Sequence, residues 1–422
     1  MADADPAATT SSTPTPTTTT TSNDPPPPPP PRPTFNRDRN IKYWLRCLRT
    51  LLPTDYTSND LNRTSLAFFC VNGLSILGEL GNLTKPDERA QWIDWLYACQ
   101  LPTGGGFRAS PATDIKEHLS DSNRIWDPAT LPGTFFCLIT LLSLGDGLTR
   151  VNREDTLEWL ATLQREDGSF AEMHSGINEK EDTATRDPRF IYLAAAVRWL
   201  LRGEEGSLSR EVKDIDVDRA VRYVQSCEAY DYGYGSRPGA ESHAGHTFCA
   251  ISALSLLDRL HPPKEPVSYP IGLPNPSKTL HWLLSRQNAP TDPETFDPSS
   301  HISPPPPPFP PSDAHNGFNG RDNKRTDTCY SFWVIGSLDL LKKVHLVNAE
   351  SNRKYLLEDT AHRIGGFGKW AGAPPDVLHS CLGMVSLGIF REEGINRVDS
   401  ALCTALQTRE LVESLDWRKK KI

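Results

Sequence analysis

Residues 159–170 read WLATLQREDGSF: a helical stretch of mixed polarity that runs into a glycine-aromatic turn. The same unit recurs as WLYACQLPTGGGF (95–107), YVQSCEAYDYGYG (223–235), WLLSRQN with a later NGFNG (282–320) and YLLEDTAHRIGGFG (355–368). The turn aromatics Phe107, Phe170 and Tyr234 lie 63 and 64 residues apart, and Phe318 and Phe367 lie 49 apart. Self-similarity at such a period marks a repeat architecture, which outweighs any reading of domain number from length.

Between these units lie helices that are apolar nearly all round and rich in small residues. They are SLAFFCVNGLSIL (65–77), TFFCLITLLSL (134–144), RFIYLAAAVRWLL (189–201), HTFCAISALSLL (246–257), CYSFWVIGSLDLL (329–341) and HSCLGMVSLGIF (379–390). A helix without a polar face is enclosed on every side. Alternation of such helices with amphipathic ones predicts an all-α fold, an α/α barrel of six hairpins with an inner and an outer ring. The expected domain spans 34–422. Residues 1–33, almost all Thr, Ser, Pro, Ala and Asp, have too little apolar surface to fold and are expected to form a disordered tail. Pro304 to Pro308 and two further prolines exclude helix from a segment at about 289–315, expected as an exposed loop insertion.

A net charge of −8 and a pI near 5.8 disfavour a nucleic-acid binder that works by counterion release. No apolar run reaches transmembrane length and no signal stretch precedes the tail, which predicts a cytoplasmic protein. Nine cysteines without a CxxC pair fit reduced core thiols.

The N-termini of the inner helices converge on one mouth of such a barrel. Asp327 and Cys329 in RTDTCYSFW and His379 in PPDVLHSCLG stand there, an O/S/N set suited to Zn²⁺ with a fourth position open. Taken singly, a buried Cys is usually core and an Asp before a helix usually its cap. Arg321, Lys324 and Arg325 lie just upstream, Tyr330 follows the cysteine, and His243 precedes another inner helix. Such cations and helix N-termini form an anion site, with phosphate the expected guest.

The stretches GRDNKRTDTCYSFW, ESHAGHTFC, DPRFIYLAAA and GGFGKW with PDVLHS resemble protein prenyltransferase β subunits. So do FNRDRNIKYWLRCLRTLLP, LGDGLTRVNRE and LQREDGSF, so the resemblance spans about 35–420. It implies an α/α barrel around a lipid-lined cavity. Asp327, Cys329 and His379 take the zinc-ligand positions, with Asp376 orienting His379. His243, Arg321, Lys324 and Tyr330 take the diphosphate positions, and Arg189 matches a residue that contacts the peptide. His246 and Ala244 depart from the family wording, as does segment 109–133, where Pro132 is expected just before the helix. No cavity-lining residue is carried over in that segment.

Within the family, two residues point to the branch that transfers a C20 geranylgeranyl group, type I, from geranylgeranyl diphosphate. Lys369 stands where C15 enzymes carry a Mg²⁺-holding aspartate, which predicts no Mg²⁺ requirement. Ser65 stands where those enzymes carry a bulky tryptophan, which leaves room for the longer lipid. The resemblance also implies an α subunit shared with farnesyltransferase, and CaaX acceptors ending in Leu or Phe, such as Rho-type small GTPases. The alternatives are a farnesyltransferase β subunit and a non-catalytic barrel that serves as a scaffold.

Overall fold

Six helices, α2 (Arg63–Ile76), α5 (Leu131–Ser143), α7 (Pro188–Arg202), α9 (Ala244–Leu256), α11 (Thr328–Leu340) and α13 (Val377–Ile389), pack each on the next. The last returns to α2, so the ring closes. Outside it lie α1 (Arg37–Arg49), α4 (Pro86–Tyr97), α6 (Arg153–Thr162), α8 (Val217–Ser226), α10 (Pro276–Leu284) and α12 (Ala349–Lys354), each preceding one inner helix. A short α3 (Leu80–Leu83) and a final α14 (Leu406–Ser414) complete the set. The computed structural model describes residues 33–419 except 51, 54–55, 57–58, 60–61, 119, 121–126, 175–185 and 289–314. The expected tail at 1–33 and insertion at 289–315 therefore lie outside the described residues but for their last positions. Residues from Thr34 onward form one unit.

The all-α expectation holds, and the double ring is that of the family described below. The inner helices bury most of their surface because the outer ring covers one side and neighbouring inner helices cover two more. Pro132 is a correction to the expected boundary: it sits inside the first turn of α5 rather than before it. The first turn tolerates proline because its N–H has no intrahelical partner.

The glycine-aromatic turns do structural work that places the mouth of the ring. Each folds back on the end of its outer helix through a short antiparallel pairing: Gln100 with Phe107, Gln164 with Phe170, Glu228 with Tyr234, Gln287 with Phe318 and Ala361 with Phe367. All five aromatics are fully buried. Fully burying such a side chain stabilises by about 1.5–3 kcal/mol. The carbonyls of Phe107, Tyr234 and Phe318 then accept the N–H of Thr130, His243 and Asp327, the cap residues of the next inner helices. Phe367 pairs with Asp376, the cap of α13, in the same way. A repeated structural turn thus fixes the residue that opens four of the six inner helices.

The opposite ends of the inner helices are uniform. Five finish with a residue of positive φ, Gly78, Gly145, Asp258, Lys342 or Arg391, and with the following N–H bonded back to a carbonyl five residues earlier. This is the Schellman arrangement. Helix α7 ends at Gly203 instead, and the guanidinium of Arg418 donates to the carbonyls of Trp199 and Leu200, at 2.6 and 2.7 Å.

Candidate active site

At the mouth, Asp327 caps α11 by accepting the Cys329 N–H at 2.8 Å, and Asp376 caps α13 by accepting the His379 N–H at 2.9 Å. The helix starts are adjacent, so one ligand atom each from Asp327, Cys329 and His379 lies within 4.8 Å of the others. Asp376 Oδ2 is 2.5 Å from His379 Nδ1. A carboxylate only accepts, so Nδ1 carries a hydrogen, which leaves Nε2 as the atom that a metal ion would take once its own hydrogen is lost. Nε2 faces Asp327 Oδ1 at 3.1 Å.

Electrostatics at this cluster favour a cation. Burial works against charge on His379, but Asp327 and Asp376 outweigh it and raise the imidazole to about 9. Burial also opposes ionisation of Asp327, yet the His379 and Cys329 hydrogen bonds hold its carboxyl below the usual range. Burial and the Asp327 charge push the Cys329 thiol well up. A bound divalent cation reverses that cost by pairing with the thiolate, so the donor set fits a metal ion. Lys369 stands beside the cluster, its Nζ 3.8 Å from Asp327 Oδ2. Lys369 and Arg325 both lie against the Trp370 ring, at 5.0 and 4.5 Å from its centroid. Sequence reading missed Trp370; its position next to Lys369 was the available signal.

A second polar group begins α9. His243 Nδ1 accepts the Gly245 N–H at 3.0 Å, so the ring hydrogen sits on Nε2, which donates to the Tyr330 hydroxyl at 3.1 Å. Burial, then His246 and Arg321, lower His243 to about 4, consistent with a neutral ring. Tyr330 therefore has its own O–H free to donate into the mouth. Gly320 permits this placement: a Cβ there would stand 2.3 Å from the Tyr330 ring.

Other expected residues are less concentrated. Arg321 pairs with Glu241, and Lys324 is exposed. Ser65 sits half-buried in the first turn of α2, its hydroxyl donating to the Asn62 carbonyl at 2.8 Å. Arg189, in the first turn of α7, donates from Nη2 to Asp187 Oδ2 at 2.9 Å. Asp187 was not anticipated, although an aspartate before Pro188 is an ordinary cap signal.

Beneath the mouth, an aromatic series runs along the inner wall: Phe68 and Phe69 of α2, Phe135 and Phe136 of α5, Tyr192 of α7, Phe248 of α9, and Phe332 and Trp333 of α11. Successive ring centroids are 4.8 to 6.5 Å apart. Phe69, Phe136 and Trp333 keep some exposure although the outer helices cover the ring's outside, so their free surface lines the lumen. α13 brings no Phe, Tyr or Trp to this wall. An apolar, aromatic-lined lumen under a metal and anion site suits a ligand with a long hydrocarbon chain and a charged head.

Residues 35–404 match the prenyltransferase alpha-alpha toroid domain, and the chain belongs to that family. Within it, the relatives place the chain among the geranylgeranyl transferase type-1 β subunits. It is 30% identical to that subunit of Arabidopsis thaliana over 380 residues, 88% of each chain. The Dictyostelium discoideum counterpart is 29% identical over 408 residues, 92% of this chain and 99% of the other. The Arabidopsis farnesyltransferase β subunit is 27% identical over 74% of this chain and 50% of its own length. The solved structure of Candida albicans protein geranylgeranyltransferase-I complexed with GGPP superposes with a TM-score of 0.73. It is 25% identical and covers 92% of this chain and all of its own. Among the described residues, no helix is long and apolar enough to cross a membrane.

Proposed function

We propose that the chain is the catalytic β subunit of a cytoplasmic type I protein geranylgeranyltransferase. It would join a helical α subunit shared with farnesyltransferase, and would transfer a C20 group from geranylgeranyl diphosphate to the cysteine of CaaX proteins ending in Leu or Phe. The observation that carries this reading is the Asp327–Cys329–His379 cluster at the N-terminal ends of two adjacent helices of an aromatic-rich inner ring. Asp327, Cys329 and His379 would hold Zn²⁺, whose charge supplies a thiolate-stabilising partner for the acceptor sulfur at neutral pH.

The chain's own residues divide the remaining work. Asp376 fixes the His379 tautomer, so Nε2 is always the ligand atom. Tyr330, held by His243, donates its O–H toward the diphosphate, where charge grows as the carbon–oxygen bond breaks. Lys369, Lys324 and Arg321 add positive charge around the same group, and Lys369 replaces the divalent cation that an aspartate would bind. The lumen excludes water from the isoprenoid, and Ser65 leaves space for its last unit. Arg189 meets the acceptor peptide.

Single-turnover transfer to a CaaL peptide, with the chain co-expressed with its α subunit, tests the reading. C20 preference that ignores Mg²⁺ is expected. A Mg²⁺-dependent C15 preference would make the chain a farnesyltransferase subunit, and absence of transfer with metal bound would favour a scaffold.

A further inference from the structure

His246 lies one turn into α9, and its Nε2 is 3.1 Å from Asp187 Oδ2. That oxygen also accepts Arg189 Nη2 at 2.9 Å, while Oδ1 accepts the Arg189 N–H at 2.8 Å. The carboxylate is 3% exposed, and the Arg189 side chain is 62% exposed. One enclosed anion therefore holds two side chains from neighbouring inner helices, and one of the two, Arg189, is largely exposed.

The hydrogen-bond chemistry is directional. Asp187, with its carboxyl held below the usual range, accepts only, so His246 Nε2 is the donor. His246 Nδ1 is enclosed and, among the described residues, has no partner. The ring is thus committed through Nε2 alone, and what it does is fix Asp187. Without that donor, Oδ2 keeps only the guanidinium as partner, and the carboxylate plane is held by the cap bond at Oδ1 alone, so the angle at which it presents the guanidinium is less tightly set. An arginine that must meet a planar ligand group at a set angle is sensitive to such a change.

We propose that His246 is a positioning residue for the acceptor peptide, acting through Asp187 to aim the Arg189 guanidinium. This inference rests on the reading of Arg189 as a peptide contact. The alternative partner for His246 is the diphosphate side, because its ring lies 5.0 Å from that of His243. The two roles predict different kinetics: an aiming role acts on peptide KM, a diphosphate role on isoprenoid affinity.

The experiment compares wild type, His246→Ala, His246→Gln, Arg189→Ala and the double variant H246A/R189A as purified heterodimers with measured metal content. Steady-state kinetics with a CaaL peptide and direct binding of geranylgeranyl diphosphate are read on each. His246→Ala is expected to raise peptide KM about tenfold, the scale of one hydrogen bond to a charged group. kcat and diphosphate affinity stay within about twofold, and His246→Gln, which keeps an N–H donor, recovers most of the loss. In the Arg189→Ala background the second substitution adds nothing.

Additive losses in the double variant would overturn the inference, as would weaker diphosphate binding with peptide KM unchanged. If Arg189→Ala itself leaves peptide KM at the wild-type value while transfer proceeds, the peptide assignment of Arg189 fails, and the aiming role falls with it. Should His246→Ala fail to assemble, His246→Gln and Arg189→Ala still decide. Equal KM for wild type and Arg189→Ala, or a His246→Gln variant whose diphosphate affinity alone falls, goes against the proposal.

Discussion

The two ends of the inner helices differ in kind. At their C-termini five of the six close with the same backbone arrangement, whatever residue occupies the positive-φ position. At their N-termini five of the six have side-chain caps, Thr130, Asp187, His243, Asp327 and Asp376, and four of these five also touch a residue expected in catalysis or binding. The asymmetry follows from the helix itself. N-terminal ends expose N–H donors and partial positive charge, which anions and metal-ligating carboxylates answer, whereas C-terminal carbonyls are satisfied by the chain's own next residues. At the C-terminal end the backbone repeat suffices, whereas at the N-terminal end the repeated turn sets only the position and the cap residue there varies.

The largest effect that would sharpen this contrast is expected at the metal cluster. Cys329→Ala should lower single-turnover transfer by more than ~100-fold and reduce bound metal, measured by rapid quench and elemental analysis. Retained transfer would place the chemistry elsewhere. One step out, Asp376→Asn keeps a cap for α13 but weakens the charge behind His379. Metal affinity is expected to fall about 10–100-fold in a competitive chelator titration, with helix content unchanged.

His243 offers a test through pH. Its folded value, about 4, lies below that of an unfolded histidine, so the unfolded chain binds more protons between about 4 and 6.5. Stability is therefore full above about 6.5 and falls as pH drops through that window. Between pH 7 and 5, the substrate-free protein should lose on the order of 2 kcal/mol through this group. Comparing denaturant unfolding of wild type and His243→Asn at both values isolates it, and equal losses would remove His243 from the account.

The smallest effect is expected at the uniform end. Exposed Lys342 adopts φ of 61°, which costs a side-chain residue about 1–2 kcal/mol, partly offset by its lower unfolded-state entropy. Lys342→Gly should stabilise by about 0.5–1 kcal/mol without altering transfer. A change in kcat would show that the far end is not chemically silent.

How much was legible in the sequence divides along the same line. The inner helices could be read because residues such as those of TFFCLITLLSL are apolar on every face, and Asp327, Cys329 and His379 because rare ligand types stand at two helix starts. The uniform ends were hidden: Asp258, Lys342 and Arg391 hold a conformation that glycine would announce and they do not. The 355–360 turn, YLLEDT, is a π-helix, yet its composition reads as an ordinary helix. The Asp187–His246 bond joins residues 59 apart in sequence, and only the packing of α7 on α9 brings them together. Arg321, the cation expected beside the diphosphate, also pairs with Glu241, a contact no local pattern encodes.

Gln287 pairs with Phe318 across 30 intervening residues, whereas Gln164 pairs with Phe170 across five. Closing the longer span costs only about 1.6 kcal/mol more, because loop entropy grows with the logarithm of length. The ring therefore does not register how much chain is stored at that corner. In terms of descent, each corner is a joint where length can drift without consulting the other five, so lineages of this fold can diverge greatly in size while the mouth they share keeps its geometry.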